Sequence, residues 1–118
     1  MRRRVLGDRH VDRAQSGTSD FGAAFQRFIT EGAWGRVWSR RQLAARERSL
    51  VTVALLAAGG HHEELRMHVL ACRRTGATAE DLADALLHVA VYAGVPAANA
   101  AFRVAERALS EAQEEPDA

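Results

Sequence analysis

From Gln42 to Ala108 the apolar residues of this chain recur at helical intervals, and the runs are cut only at Gly59-Gly60, Gly76 and Gly94-Val95-Pro96. A helix over residues 42–58 carries Leu50, Val51, Val53, Ala54, Leu55 and Leu56. It is apolar nearly all round after Ser49, so it needs burial on most sides, which in a short chain points to an oligomer interface. The next helix, 61–75, ends at Gly76, a residue suited to a left-handed cap. Thr78 with Asp81 forms a variant of the capping box and opens a helix whose stripe is Leu82, Leu86, Val89 and Ala93. Gly94 and Pro96 stop it and start a last helix with a small-residue seam at Ala97, Ala100, Ala101, Val104 and Ala108. No stretch alternates in hydropathy and no Asn-Gly hairpin turn occurs, so the expected fold class is all-α, with about five to six helices.

The front of the chain is less regular. A helix over 20–31, capped by Ser19 or Asp20, sets Phe21, Phe25, Phe28 and Ile29 on one side, and Gly32 is expected to close it. Residues 33–41 read as a loop or short turn holding Trp34, Trp38, Arg36, Arg40 and Arg41. Residues 1–19 read as a basic arm, ordered in part by a neighbour, ahead of a single helical domain over 20–113 and an acidic tail over 114–118. At 118 residues the chain can bury a core but is short for a self-contained cleft, so subunits are expected to share one.

All 16 basic residues are arginine. The absence of lysine excludes a lysine Schiff base and a phosphate-loop lysine, whereas arginine favours two-pronged grips on carboxylates or phosphates. Residues 1–48 hold eleven arginines against five acids, and residues 49–118 hold five against ten. The basic part is interspersed with acids and matches no helix-turn-helix, zinc-finger or single-strand-binding pattern, so no nucleic-acid partner is expected. The one cysteine, Cys72, allows neither an intramolecular disulfide nor a paired-thiol centre and fits a reducing cytoplasm. No segment approaches the roughly 20 apolar residues of a membrane span, and Met1 to Arg4 is followed by charges rather than an apolar signal core. A cytoplasmic protein without a membrane partner is expected.

The segment Gly60-His61-His62-Glu63-Glu64-Leu65-Arg66-Met67-His68 carries the chemistry. At about 100° per residue, Glu64 and His68 share the face of Leu65 and Cys72, and four residues apart they can touch. A carboxylate and an imidazole held together in an apolar setting are poised for proton transfer, which makes His68 and Glu64 the catalytic candidates. Arg48 lies on the face of Val51 and Leu55 and is expected to meet a buried partner, either a substrate carboxylate or an acid such as Glu64. Arg40 and Arg41 are candidates for a second carboxylate. Trp34 and Trp38 read as pocket walls or as core anchors, and His88 and Tyr92, one step of four apart beside Asp84, as further donors or as structural hydrogen-bonding groups. Two rival readings stand. His61, Glu64 and His68 at steps of three and four could hold a metal, although the pattern is not His-Glu-x-x-His. Alternatively the protein is a non-enzymatic oligomerisation module whose buried polar pair fixes subunit register.

Arg46-Glu47-Arg48-Ser49-Leu50, Glu64-Leu65-Arg66-Met67-His68, Gly76-Ala77-Thr78 and the run from Tyr92 to Ala100 resemble, in order and spacing, the carboxymuconolactone decarboxylase family. Val5 to Ala14 and Ala33 to Trp38 extend the resemblance over nearly the whole chain. It implies an alkylhydroperoxidase D-like helical subunit in a homo-oligomer, a trimer or hexamer. It also implies cofactor-free, metal-free loss of carbon dioxide from 4-carboxymuconolactone, a dicarboxylate lactone, to give β-ketoadipate enol-lactone in the protocatechuate branch of aromatic catabolism. The related alkylhydroperoxidases carry a Cys-x-x-Cys that this chain replaces with His61 and Glu64, which excludes two-thiol peroxidase chemistry.

Overall fold

A computed structural model describes residues 1–114; residues 115–118, most of the expected acidic tail, lie outside the described residues. Among the described residues the chain is all helical: α1 (Arg2–Leu6), α2 (Asp8–Ser16), α3 (Ala23–Phe28), a π-helix (Ile29–Val37), α4 (Ala45–Gly59), α5 (His62–Thr75), α6 (Ala79–Tyr92) and α7 (Val95–Glu114). The helices α5 to α7 begin and end close to where the sequence signals place them, while α4 starts at Ala45, three residues after the expected Gln42. Gly76 caps α5 at φ 92°, a conformation that glycine alone adopts without cost. At the start of α6 the Thr78 N–H donates to Asp81 Oδ2 at 2.9 Å and the Asp81 N–H donates to Thr78 Oγ1 at 3.1 Å, which completes the capping box. Arg46 on α4 then grips the same Asp81 carboxylate with two bonds, at 3.0 and 2.6 Å. Those bonds, Arg46 first, hold the Asp81 carboxyl down at about 2.

Two apolar clusters share α5. One joins Val53 and Ala57 of α4, Leu65, Val69 and Cys72 of α5, Leu82, Leu86 and Val89 of α6, and Ala98, Ala101, Ala105 and Ala108 of α7. The alanine seam therefore runs 98-101-105-108: of the expected line, Ala101 and Ala108 lie in it, while Ala97, Ala100 and Val104 are only partly buried. Within this cluster Ser49 and Thr75 satisfy each other across α4 and α5 at 2.7 Å. Burial pushes the Cys72 thiol up to about 11, consistent with an inert core residue.

The second cluster joins Val5, Leu6 and Val11 to Trp34, Trp38 and Ala71. It corrects the reading of the front of the chain. Residues 2–16 form two helices that lie against α5 of their own chain, because three apolar side chains suffice to dock them there. Gly32 does not end the helix that precedes it: the backbone passes instead into the π-helix, with Trp38 N–H bonded to the carbonyl of Ala33 five residues back at 2.8 Å. The expected loop over 33–41 is thus helical as far as Val37, and both tryptophans are buried.

Gly7 joins α1 to α2 at φ 88° and ψ 152°, a region essentially closed to other residues, and a Cβ there would fall 2.4 Å from Nη2 of Arg74 on α5. The corner is pressed against α5. Gly7→Ala should therefore cost about 1–3 kcal/mol. The cost should show as a lowered urea midpoint and as a red-shifted emission of Trp34 and Trp38, whose packing against Val5, Leu6 and Val11 depends on that corner.

Candidate active site

His68 sits on the side of α5 that faces the second cluster, 7 % exposed and beside two indoles. Its ring lies 6.4 Å from Trp34 and 6.0 Å from Trp38, each at 16° between planes, while the indoles are 5.2 Å from each other. The Trp34 and Trp38 rings reach it because the π-helix turns both toward α5. Desolvation dominates the titration of His68 and lowers it to about 4, reinforced by the nearby His10 and opposed by Glu64. The imidazole is neutral at physiological pH, and its Nδ1 is buried without a hydrogen-bond partner among the described residues.

The expected Glu64–His68 pair is not formed as a buried unit. Glu64 shares the helix face of His68 but lies in the first turn of α5, at the end of the bundle, where its side chain is exposed and acts on the imidazole only through its field. The buried polar pair on which the oligomerisation-module reading rested is therefore missing. His61 is exposed as well, and no three histidine, cysteine, aspartate or glutamate side chains converge as metal ligands among the described residues.

Arg48 meets a backbone carbonyl where a carboxylate partner had been expected: its Nη2 donates to the Arg40 carbonyl at 3.2 Å, and its Nε is buried without a partner. It thus ties the segment after Trp38 to α4. The Arg40 side chain itself is exposed, as is that of Arg41. Tyr92 and His88 stack on each other at 5.4 Å on the outside of α6, whose chief packing partners are α4 and α7. They do not join His68, because their step of four follows the flank of α6 and not its buried stripe.

One residue escaped the sequence reading. His10 on α2 is half-buried and close enough to His68 for charge on either to disfavour charge on the other. Burial first, then Arg13, Arg2 and Arg74, hold it below the usual histidine range. Its signal was present in the apolar Val5, Leu6 and Val11 around it, which mark residues 5–11 as a docking segment.

The buried side-chain nitrogens left without a partner among the described residues are Arg2 Nε, Arg48 Nε and His68 Nδ1. Two of them border the tryptophan pair, His68 against both rings and Arg2 in a cleft lined by Trp34, while Arg48 is tied to the backbone of the segment that follows Trp38. Unsatisfied guanidinium donors of this kind suit an anionic ligand.

The model of the carboxymuconolactone decarboxylase family matches residues 23–107. This chain belongs to that family. Among family relatives, it is 47 % identical over 111 residues to the 4-carboxymuconolactone decarboxylase of Acinetobacter baylyi, across 94 % of this chain and 83 % of that protein. It is 34 % identical over 111 residues to a nitrosuccinic acid decarboxylase of Metarhizium robertsii, across 94 % of this chain and 78 % of the other. The carboxymuconolactone decarboxylase model thus begins after α2, whereas both pairwise likenesses span lengths that include helices on the His10 side of the site.

The neutral imidazole ties stability to pH. The folded chain keeps His68 neutral down to about 4, while the unfolded chain takes up its proton near 6.5. Between those values the unfolded state binds more protons, so the stability linked to His68 is complete above about pH 6.5 and is lost as the pH falls toward 4. The full span corresponds to about 3 kcal/mol. His68→Gln should flatten the pH dependence of the urea midpoint over that window relative to wild type and leave it unchanged above it.

Proposed function

We propose that this chain decarboxylates 4-carboxymuconolactone to β-ketoadipate enol-lactone, and that the neutral imidazole of His68 beside two indoles carries the reaction. The reading is supported by family membership, by the relatives' activities and by the unpartnered guanidinium nitrogens of Arg2 and Arg48. The substrate is a dianion. Its ring carboxylate sits on a carbon conjugated through a double bond to the lactone carbonyl, so the electrons released as that carbon–carboxylate bond breaks move into the ring and place negative charge on the lactone oxygen. The fragment then takes one proton at the ring carbon next to the carbonyl. In sum, a dianion and a proton become carbon dioxide and a monoanion, and no external electron sink is needed.

His68 supplies the donor at the lactone oxygen and the proton for carbon. In the free site desolvation keeps the ring neutral; two substrate carboxylates oppose that effect, so the ring takes up a proton from solvent as the dianion binds and passes it to carbon. Glu64, at the mouth of the site, adds to the field that favours the charged ring. Arg48, with Arg40 beside it, attracts the dianionic substrate to the site, and the faces of Trp34 and Trp38 exclude water from the leaving group, whose loss of charge an apolar wall favours.

The protein acts in this reading as a cytoplasmic homo-oligomer, a trimer or hexamer. Val51 and Leu55 on α4, Leu87 and Val91 on α6, and Val95 on α7 are 50–75 % exposed, and Phe21, Phe25 and Phe28 are 62–97 % exposed, more apolar surface than a lone subunit of this size keeps in water. Light scattering should report a multiple of the 12.9 kDa subunit, and Leu55→Asp should shift it toward the monomer.

A spectrophotometric assay with enzymatically generated 4-carboxymuconolactone, run on chelator-treated protein, tests the reaction. Turnover should persist after chelation, and His68→Gln should lower kcat by about 10²–10⁴-fold with assembly intact. Glu64→Gln should cause a smaller loss. A wild-type protein without turnover of this lactone would refute the reading.

A further inference from the structure

We infer that Arg2, on the short first helix, anchors the carboxylate that the substrate keeps, an inference that rests on the decarboxylase reading above. Two arginines line a cleft of about 290 Å³ together with Gln15, Thr30, Trp34 and Ser39. They differ in what holds them. Arg3 is tied to Asp8 at 3.1 Å and to Asp12 at 2.9 Å, so its charge is matched within the chain. Arg2 is held only by neutral acceptors: Nη2 donates to Gln26 Oε1 at 3.2 Å and Nη1 reaches Thr30 Oγ1 at 3.4 Å, while Nε is buried and unpartnered. Its guanidinium is thus aimed and half-buried, yet no acid forms an ion pair with it among the described residues.

A cation in that state lacks an anion, and the cleft supplies room for one. The shared lining residue, Trp34, is the same indole that stacks on His68, so one ring borders both the cleft beside Arg2 and the imidazole. The choice between the two substrate carboxylates follows from the chemistry. A guanidinium on the departing carboxylate stabilises the ground state more than a transition state in which that charge is leaving, and slows the reaction. On the retained carboxylate it binds ground state and transition state alike. The polar rim of Gln15, Thr30 and Ser39 suits a group that stays charged throughout. Arg2 is therefore a substrate-binding residue whose removal appears in KM.

Steady-state kinetics with 4-carboxymuconolactone on wild type, Arg2→Gln, Arg2→Lys and Arg3→Gln test this, with calorimetric binding of cis,cis-muconate, a plain dicarboxylate, in parallel. Arg2→Gln should raise KM by about 10–100-fold with kcat within about threefold. Arg2→Lys should recover part of the loss, and Arg3→Gln, whose charge Asp8 and Asp12 already match, should raise KM by less than Arg2→Gln does. Muconate affinity should fall at least tenfold in Arg2→Gln. An unchanged KM, or a kcat loss that tracks a lowered melting temperature with KM constant, overturns the proposal. If Arg2→Gln lacks the helical circular dichroism of wild type, Arg2→Lys decides by the same split. If the wild type binds muconate but does not turn over the lactone, the reaction reading fails alone, and Arg2 then stands or falls on the muconate comparison.

Discussion

Burying α5 on two adjoining sides is the constraint from which the rest of the molecule follows. Leu65, Val69 and Cys72 face the alanine seam of α7 and the leucines of α6, whereas Ala71 lies on the neighbouring side and His68, between the two, meets Trp34 and Trp38. The helical bundle from α4 to α7 covers only the first side. The second has to be closed by the front of the chain, and α1, α2 and the π-helix do so with three aliphatic side chains and two indoles. His68 is desolvated because that closure is complete, and the lowered protonation of its ring is the electrostatic mark of the same packing. Fold and candidate chemistry thus have one origin.

Much of the bundle was legible from sequence because its signals are local. Gly76 and the Thr78–Asp81 box each act within one turn, and a 3.6-residue period survives whatever packs against it. The front resisted for two physical reasons. Its first two helices are short, with few apolar residues, so their stability comes from docking and not from any pattern within them. The helix through Gly32 changes its hydrogen-bond step from four to five, and a template built on the α period reads such a stretch as a break.

The site divided along the same line. His68 could be placed on an apolar face by angle alone. Glu64, only about 40° away on the helical wheel, was misjudged because the wheel gives direction and omits depth: a residue in the first turn of a helix reaches the edge of the bundle, not its interior. Arg48, Trp34 and Trp38 were visible as candidates, but which of them would surround the imidazole depends on contacts between α5 and segments some thirty residues earlier. His10 and Arg2 lay in a stretch first read as an arm, and their relation to His68 exists only once that stretch is folded back.

The widened turn between Ile29 and Val37 also sets a limit on how this chain can vary in length. A π-turn holds one residue more than an α-turn, so losing a single residue there would restore an ordinary ladder while rotating everything downstream by roughly 100° about the axis. Trp38 would swing off the imidazole while Trp34 stayed. Insertions and deletions should accordingly be far better tolerated in the segment that joins α2 to α3 than in this one, where a gain in helical regularity would dismantle the cluster of three rings.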